Sequence, residues 1–148
     1  MIKKEDIVKL REETGAGIMD AKKALEETGG DFDEAKKIIS KKGLDKAAKR
    51  EGRDTAAGKI EAYLHNGRVG VLVELRTETD FVANSEPFLE LVHELALQLA
   101  AVPVEGEEEF LESNYIKNDS KKIKDLISDL VGKVGEKVVL GKFYRIEI

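Results

Sequence analysis

The first candidates for chemistry in this 148-residue chain are its two histidines and its many carboxylates. His65 stands beside a turn, and His93 lies in a helical pattern among acidic residues. Because His93 and Glu94 are adjacent, their side chains point about 100° apart and cannot form the i, i+4 ligand pair of a helical zinc site. We interpret each histidine as a solvated surface residue. A metal-assisted hydrolase built on His65, His93 and Asp80 is the enzymatic alternative.

Two further segments have the composition of phosphate-binding sites. Gly15-Ala16-Gly17 resembles part of a phosphate-binding loop, but it lacks the preceding strand and the GK[ST] ending, so a corner between two helices is favoured. The basic segment Lys41 to Arg53 contains no aromatic residue for base stacking, and the net charge of the chain is -5. RNA binding through this segment stays open as an alternative. We expect no direct nucleic-acid partner, no catalytic residue, no metal and no cofactor, and hence no enzyme.

A different kind of candidate is an aromatic residue beside an acid in the stretch TETDFVANSEPF, Thr77 to Phe88. Phe81 continues the phase of Leu75, so the pattern alone favours a side chain that plugs the protein's own core. The preceding residues are polar, however, and the chain must reverse before a helix that starts near Ser85. A loop tip of this kind can expose an aromatic side chain, which suits a protein–protein contact.

The elements before residue 59 form helical patterns separated by glycines. One helix is predicted from Lys4 to Thr14 and a second from Ile18 to Thr28, followed by a third that Asp31 or Asp33 caps and Gly43 closes. Residues 1–44 therefore form a three-helix module with a small core. Residues 45–58, DKAAKREGRDTAAG, are predicted to be a linker or a short fraying helix.

Residues 59–148 predict a β-β-α-α-β order, and the whole chain has an α+β fold. Asn66-Gly67 joins the first two strands as a tight hairpin, and Pro87 lies in the first turn of the helix after the candidate loop. The acidic stretch Glu105 to Asn118 is predicted to be an exposed connector before a last helix, which is capped near Asn118 to Ser120. The final strand is predicted to carry these residues in one phase: Val138, Leu140, Tyr144, Ile146 and Ile148.

The compartment follows from the composition and the first residues. The chain contains no cysteine, which excludes disulfides, thiol catalysis and cysteine-based zinc sites. The start of the chain is charged where a secretory signal would be apolar, and the apolar runs fall short of a membrane span. We therefore expect a cytoplasmic protein without a membrane partner.

Three long segments resemble bacterial elongation factor Ts. LREETGAGIMDAKKALEETGGDFDEAKKIISKKG, Leu10 to Gly43, is similar to the ubiquitin-associated-like (UBA-like) helical module that opens that family. HNGRVGVLVELRTETDFVANSEPFLELVHELALQLAA, His65 to Ala101, resembles its core hairpin, TDFV loop and following helix. VGEKVVLGKFYRIEI resembles its closing strand. The resemblance implies an N-terminal three-helix UBA-like module followed by a three-stranded antiparallel sheet packed on two helices.

The function that the resemblance implies is guanine-nucleotide exchange on elongation factor Tu during translation elongation. In the family, the helical module docks on the GTPase domain of the partner, and the TDFV loop disturbs the bound magnesium. Carried over to this chain, the loop residues are Thr79, Asp80, Phe81 and Val82. The residues that match the docking helix are Ile18, Met19 and Lys22. A helical adaptor without exchange activity is the remaining alternative.

One departure from the family concerns the number of core units. Longer members carry a second core copy or a helical insertion before the final helix, where this chain has only the acidic connector. Contacts of a second unit must then be absent or come from a second molecule. Because short members of the family form homodimers, the resemblance implies a homodimer and a 2:2 complex with elongation factor Tu. The half-solvated sheet offers a surface for the pairing.

Overall fold

The structure, a computed structural model, describes residues 1–49 and 52–148. Its helices are α1 Lys4–Thr14, α2 Ile18–Glu27, α3 Phe32–Lys49, α4 Asp80–Ala83, α5 Glu86–Ala101, α6 Glu107–Glu112 and α7 Ile123–Val134. Its strands are β1 Ala57–His65, β2 Val69–Thr77, β3 Asn114–Tyr115, β4 Asn118–Lys122 and β5 Val138–Glu147. Arg50 and Glu51, which belong to the predicted linker and to the basic segment, lie outside the described residues. Within the described ranges, no helix is long and apolar enough to cross a membrane.

The N-terminal helices pack around a small core of their own. Gly15 ends α1 in the left-handed conformation, with φ of 71°, and its N–H donates to the carbonyl of Arg11. Asp31 begins α3, because its side-chain oxygen accepts from the N–H of Glu34 at 3.0 Å. The fully buried residues between the helices are Leu10, Ala21, Ala24, Leu25 and Ala35. The predicted three-helix arrangement is confirmed.

The third helix is longer than predicted, because Gly43 does not end it. A Cβ on Gly43 would lie 3.4 Å from the carbonyl oxygen of Ser128 on α7, and one on Gly132 would lie 3.9 Å from the Cα of Gly43. Both distances are ordinary van der Waals contacts, so the two glycines mark the place where the backbones of α3 and α7 come close together. The predicted helix end at Gly43 is wrong, since the glycine serves a helix–helix contact there and α3 continues to Lys49.

The three-stranded antiparallel sheet has the order β1-β2-β5 and packs on α5 and α7, as predicted. The hairpin turn between β1 and β2 places Asn66 and Gly67 at positive φ, 52° and 65°, as a type I′ turn requires. Val71, Val73 and Leu75 of β2 point into the main core with the apolar faces of the helices. The alternation of β2 thus predicted the correct inner face.

A β-bulge in the last strand changes which residues face the core. The register between β2 and β5 shifts by one residue between Val73 and Leu75. The Glu74 carboxylate covers the bulge, accepts from the N–H of Lys142 at 3.2 Å and occupies the space that a side chain at Gly141 would need. Val138 and Leu140 are buried, whereas Tyr144, Ile146 and Ile148 are exposed. The predicted single phase of the final strand is therefore wrong.

The outer face of the sheet carries an exposed apolar patch as a result. We use the name outer sheet face for the exposed residues Ile60, Leu64, Leu72, Tyr144, Ile146 and Ile148. The pairing of Ala62 with Leu72, and of Leu72 with Tyr144, makes the patch continuous across all three strands. On the inner side, β1 presents half-buried polar residues, among them Glu61, whose carboxylate lies 3.5 Å from the ring of His93 on α5.

The acidic stretch is a folded part of the core rather than an exposed connector. It forms α6 and the β3–β4 hairpin, and Phe110 of α6 is fully buried with its ring centroid 5.1 Å from that of Phe143. The buried Gln98 side chain donates to the carbonyl of Asn114 and accepts from the N–H of Ile116. The final helix begins at Ile123, later than predicted, because residues 118–122 form β4.

The hairpin is also joined to α5 by an ionic contact. Glu94 accepts from the hydroxyl of Tyr115 and from the ammonium of Lys117, each at 2.6 Å. Burial alone would raise the pKa of Glu94, but the hydrogen bonds from Lys117 and Tyr115 outweigh it and lower that pKa. Burial, together with the bond to Glu94, raises the pKa of the Tyr115 hydroxyl. Glu94 is therefore an ionised acceptor at neutral pH.

The packing of Phe110 predicts a large effect of its truncation. Phe110→Ala should lower the free energy of unfolding by about 3–5 kcal/mol, because it leaves a cavity beneath α6. Ile116→Ala at the hairpin tip is the control, since that side chain is 52% exposed and its loss should change stability by less than about 1 kcal/mol. Chemical denaturation of both variants measures the difference. Equal stability of the two would contradict the packing of α6.

Candidate functional site

The loop after β2 is a single helical turn, α4, whose two ends are closed by side chains. Thr79 precedes the turn in extended conformation, and its hydroxyl oxygen accepts from the N–H of Val82 at 3.3 Å. At the other end, the Asn84 amide donates to the carbonyl of Asp80 at 2.9 Å, and the Ser85 hydroxyl donates to the carbonyl of Val82 at 2.6 Å. The predicted loop is thus an ordered element.

This turn has one side in solvent and one side in the core. The Phe81 side chain is 87% exposed, and Thr79 and Asp80 are exposed beside it. Val82 and Ala83 are 4% and 1% exposed and belong to the main core cluster. The outward orientation of Phe81 is therefore confirmed, and the pattern-based alternative of a core plug is wrong. Val82, predicted together with the outward residues, instead anchors the turn.

The base of the turn is held by Glu136, which lies between α7 and β5. Its carboxylate oxygens lie 3.0 Å from the N–H of Thr79 and 2.7 Å from the Thr79 hydroxyl. The hydroxyl of the buried Thr77 lies 3.2 Å from the same carboxylate and 2.9 Å from the carbonyl of Lys137. Glu136 was not predicted from the sequence, because it is 57 positions away from Thr79 and no local pattern links the two.

A second carboxylate at this base belongs to the loop itself. Glu78 accepts from the backbone N–H of Lys137 at 3.3 Å and pairs with Arg53 at the same distance. Each of the two segments, 77–79 and 136–137, therefore both donates hydrogen bonds to the other and accepts them from it. These bonds add to the β2–β5 ladder, which pairs Thr77 with Val138. The end of β2 and the start of β5 form one braced unit beneath α4.

The predicted docking residues lie at the beginning of α2, in the three-helix module. Ile18 and Met19 are 58% and 62% exposed, and they are neighbours on the first turn of the helix. Lys22 follows one turn after Ile18, is half-exposed and lies 3.8 Å from Glu26. The buried residues of the helix are Ala21, Ala24 and Leu25, which pack in the core of the module. The three predicted residues are therefore accessible, and their docking role stays a prediction.

The residues of the enzymatic alternative have separate local partners. The His65 ring contacts the Tyr63 hydroxyl at 2.9 Å and the Asn66 amide at 3.3 Å, whereas His93 lies beside Glu61. Asp80 lies at the first position of α4, where its carbonyl accepts from Asn84. Among residues 1–49 and 52–148, no group of three or more His, Asp or Glu side chains is arranged to hold a metal ion.

Comparison with known proteins covers both parts of the chain. Residues 78–148 match the family model described as Elongation factor TS, and this match begins one residue before Thr79. The chain is 39% identical to Elongation factor Ts of Moorella thermoacetica over 194 residues, covering 100% of this chain and 96% of the relative. It is 42% identical to Elongation factor Ts of Thermotoga maritima over 186 residues, covering 96% and 94%. The chain belongs to the elongation factor Ts family.

This member of the elongation factor Ts family is shorter than its relatives. The alignment with the Moorella thermoacetica protein spans 194 positions and this chain has 148 residues, so at least 46 positions of that relative have no counterpart here. A similar alignment to Elongation factor Ts of Leptospira biflexa covers 99% of this chain over 193 residues at 39% identity. The family likeness is thus carried by a shorter chain, in which the helical module has a small core and the sheet and its helices form the main core.

Truncation on the two faces of α4 should change the stability of the protein by different amounts. Phe81→Ala should change the free energy of unfolding by less than about 0.5 kcal/mol, because the side chain contacts solvent. Val82→Ala, on the adjacent residue, should lower it by about 1–3 kcal/mol through the loss of buried methyl groups. Thermal and chemical denaturation of the pair measure both effects. A large loss of stability in Phe81→Ala would contradict the outward orientation.

Proposed function

We propose that this protein is a guanine-nucleotide exchange factor for elongation factor Tu in translation elongation, acting in the cytoplasm without being an enzyme itself. The observation that carries the proposal is the exposed Phe81 on a braced helical turn, in a chain of the elongation factor Ts family. A solvent-exposed phenylalanine is unfavourable in isolation and becomes favourable when a partner covers it. Exchange on a partner requires such a surface rather than an active site.

The proposed mechanism acts on the magnesium ion of the GTPase. Mg²⁺ requires near-ideal octahedral geometry and bridges protein ligands to nucleotide phosphates, so a small displacement of its surroundings weakens nucleotide binding. Phe81 inserts between side chains of the partner, while Asp80 and Thr79 make polar contacts beside it. Val82 and Ala83 stay packed in the core against the sheet and α5, so the turn keeps its position when Phe81 contacts the partner. Factor and GDP then weaken each other's binding by the same factor.

A rigid support for Phe81 favours this mechanism over binding by a flexible segment. A disordered loop would lose conformational entropy on docking, and this loss would reduce the free energy left for displacing the magnesium ligands. Hydrogen bonds hold the turn at both ends and at its base, so it loses little conformational entropy when it docks. The binding energy of Phe81 is therefore available for the change in the partner.

A second contact through the three-helix module completes the proposed complex. Ile18, Met19 and Lys22 dock on the GTPase domain of elongation factor Tu, while the TDFV turn reaches the magnesium site. The proposed division into a module of residues 1–44, a joining segment 45–58 and a core of residues 59–148 assigns each contact to its own unit. The close packing of α3 on α7 supports a fixed distance between the two contacts.

The exchange proposal predicts faster release of labelled GDP from elongation factor Tu when this protein is added. Phe81→Ala should lower the maximal release rate by at least about tenfold, which corresponds to about 1.4 kcal/mol of lost interaction in the strained complex. Ile116→Ala truncates another exposed apolar side chain, and with this variant GDP should leave elongation factor Tu at the rate seen with the wild-type protein. Stopped-flow fluorescence at saturating factor measures the three rates.

The same experiment separates exchange from the adaptor alternative. An adaptor would bind elongation factor Tu without accelerating GDP release. A wild-type protein that binds but leaves the release rate unchanged would therefore contradict the exchange proposal. Steeply salt-dependent RNA affinity would instead support the basic segment as an RNA-binding site. Bound metal in the purified protein would support the hydrolase alternative.

We further propose that two copies of the chain pair through the outer sheet face, as a homodimer that binds two partner molecules. Six large apolar side chains on one face of a three-stranded sheet favour cover by another protein surface. A second copy supplies an identical apolar face, which a two-fold axis can oppose to the first. The shortness of the chain relative to its family supports this occupant, because the second copy takes the place of additional residues in one chain.

The dimer proposal predicts a change of mass when a charge is placed in the centre of this face. Leu72 lies on the middle strand between Ala62 and Tyr144, so Leu72→Asp should convert a particle with the mass of two chains into a monomer. Ile18→Asp, at another exposed apolar site on the helical module, should remain dimeric. Analytical ultracentrifugation with circular dichroism as a check of folding measures the outcome. A monomeric wild-type protein at tens of micromolar contradicts the proposal.

A further inference from the structure

We infer that Glu136 is a positioning residue for nucleotide exchange: it holds α4, and therefore Phe81, in the orientation that meets the partner. This inference rests on the proposed exchange function and adds a residue outside the TDFV turn. The Glu136 carboxylate accepts hydrogen bonds from Thr77 and Thr79, at the base of the turn. Glu136 acts through Thr79, whose backbone and side chain both bond to its carboxylate.

The position of Glu136 is set by the way α7 ends. Gly135 adopts the left-handed conformation, with φ of 75°, and its N–H donates to the carbonyl of Val131. This reversal sends the next residue across the end of the sheet toward the end of β2. The Glu136 carboxylate thereby reaches three hydrogen-bonding groups of Thr77 and Thr79 at 2.7–3.2 Å.

The hydroxyl of Thr79 links the carboxylate to the helical turn. A hydroxyl has one proton and two lone pairs. Because the proton is donated to Glu136 at 2.7 Å, a lone pair is oriented toward the N–H of Val82 at 3.3 Å. Hydrogen bonds to an ionised carboxylate are roughly twice as strong as neutral ones. Glu136 therefore orients the very atom that caps the first turn.

A helix of four residues depends on such tertiary bonds. Nucleating an isolated helical turn is unfavourable, because several backbone dihedrals are fixed for a single hydrogen bond. Val82 and Ala83 hold one side of α4 by burial, yet Phe81 on the other side has no packing of its own. Without the bonded Thr79, the start of the turn would be free to unwind, and the direction of Phe81 would vary. Glu136 thus fixes the direction in which Phe81 points, without itself contacting the partner.

The test combines an exchange assay with a measurement of local order in the full-length protein. Glu136→Ala should lower the maximal rate of GDP release from elongation factor Tu by about tenfold, while the half-saturating concentration changes by less than about twofold. Thr79→Val, which removes the linking hydroxyl, should have a similar effect. The double variant should be no slower than Thr79→Val alone, because Glu136 acts through Thr79. Glu136→Gln, which keeps an acceptor oxygen without the charge, should be intermediate.

Backbone amide hydrogen exchange distinguishes positioning from a general loss of structure. In Glu136→Ala, the N–H of Val82 should exchange at least about tenfold faster, while Val73 and Val92 in the core stay protected. Glu112→Ala removes an exposed carboxylate that is bonded to Lys122 and Lys124, and it serves as the control for charge removal. It should leave both readouts at the wild-type values.

Each result decides one of the two claims. If the wild-type protein does not accelerate GDP release, the exchange function fails, and the amide measurement still tests the connection from Glu136 to α4. If the wild-type protein is active and Glu136→Ala matches it in rate and in Val82 protection, the positioning inference is overturned. Loss of protection throughout β2 and α5 in both Glu136→Ala and Glu136→Gln would also overturn it, since Glu136 would then be a general stabilising residue.

Discussion

The burial of Val82 and Ala83 is the constraint on which the rest of the site depends. A four-residue helix has no stability of its own, so its orientation comes from the core into which these two side chains pack. Once they are buried, the adjacent Phe81 has to point into solvent, because neighbouring residues on a helical turn face different directions. The braced base of Thr77, Thr79 and Glu136 then prevents the turn from rotating about this anchor.

The sheet shows the same principle on a larger scale. Its inner face is filled by the main core, and the bulge at Gly141 shifts Tyr144 and Ile146 to the outer face. Together with Ile148, which follows the strand, they join the exposed apolar residues of β1 and β2 on one surface. A purely alternating strand would have placed them in the core beside Val138 and Leu140. Because of the bulge, apolar residues that would otherwise face the core lie on an accessible surface, which suits the proposed contact with a second copy.

The two cores of the molecule are joined where α3 packs on α7. Gly43 and Gly132 lie where the backbones of α3 and α7 come close to each other. The helical module is consequently held against the same helix whose end places Glu136 beneath the TDFV turn. Both proposed partner contacts therefore depend on α7, which has an apolar face in the main core and a glycine on the face toward α3.

The sequence by itself determined the helical module, the hairpin at Asn66-Gly67, the inner face of β2 and the family, because each depends on local periodicity or on a long continuous motif. It left the direction of Phe81 open between core and solvent until the resemblance favoured solvent. Only the tertiary structure decided the separate fates of Phe81 and Val82, the folded acidic stretch around Phe110 and the role of Gly43. It also decided the phase of β5 and the bond from Glu136 to Thr79. Each of these depends on residues far apart in the chain, whose approach is set by packing rather than by local pattern.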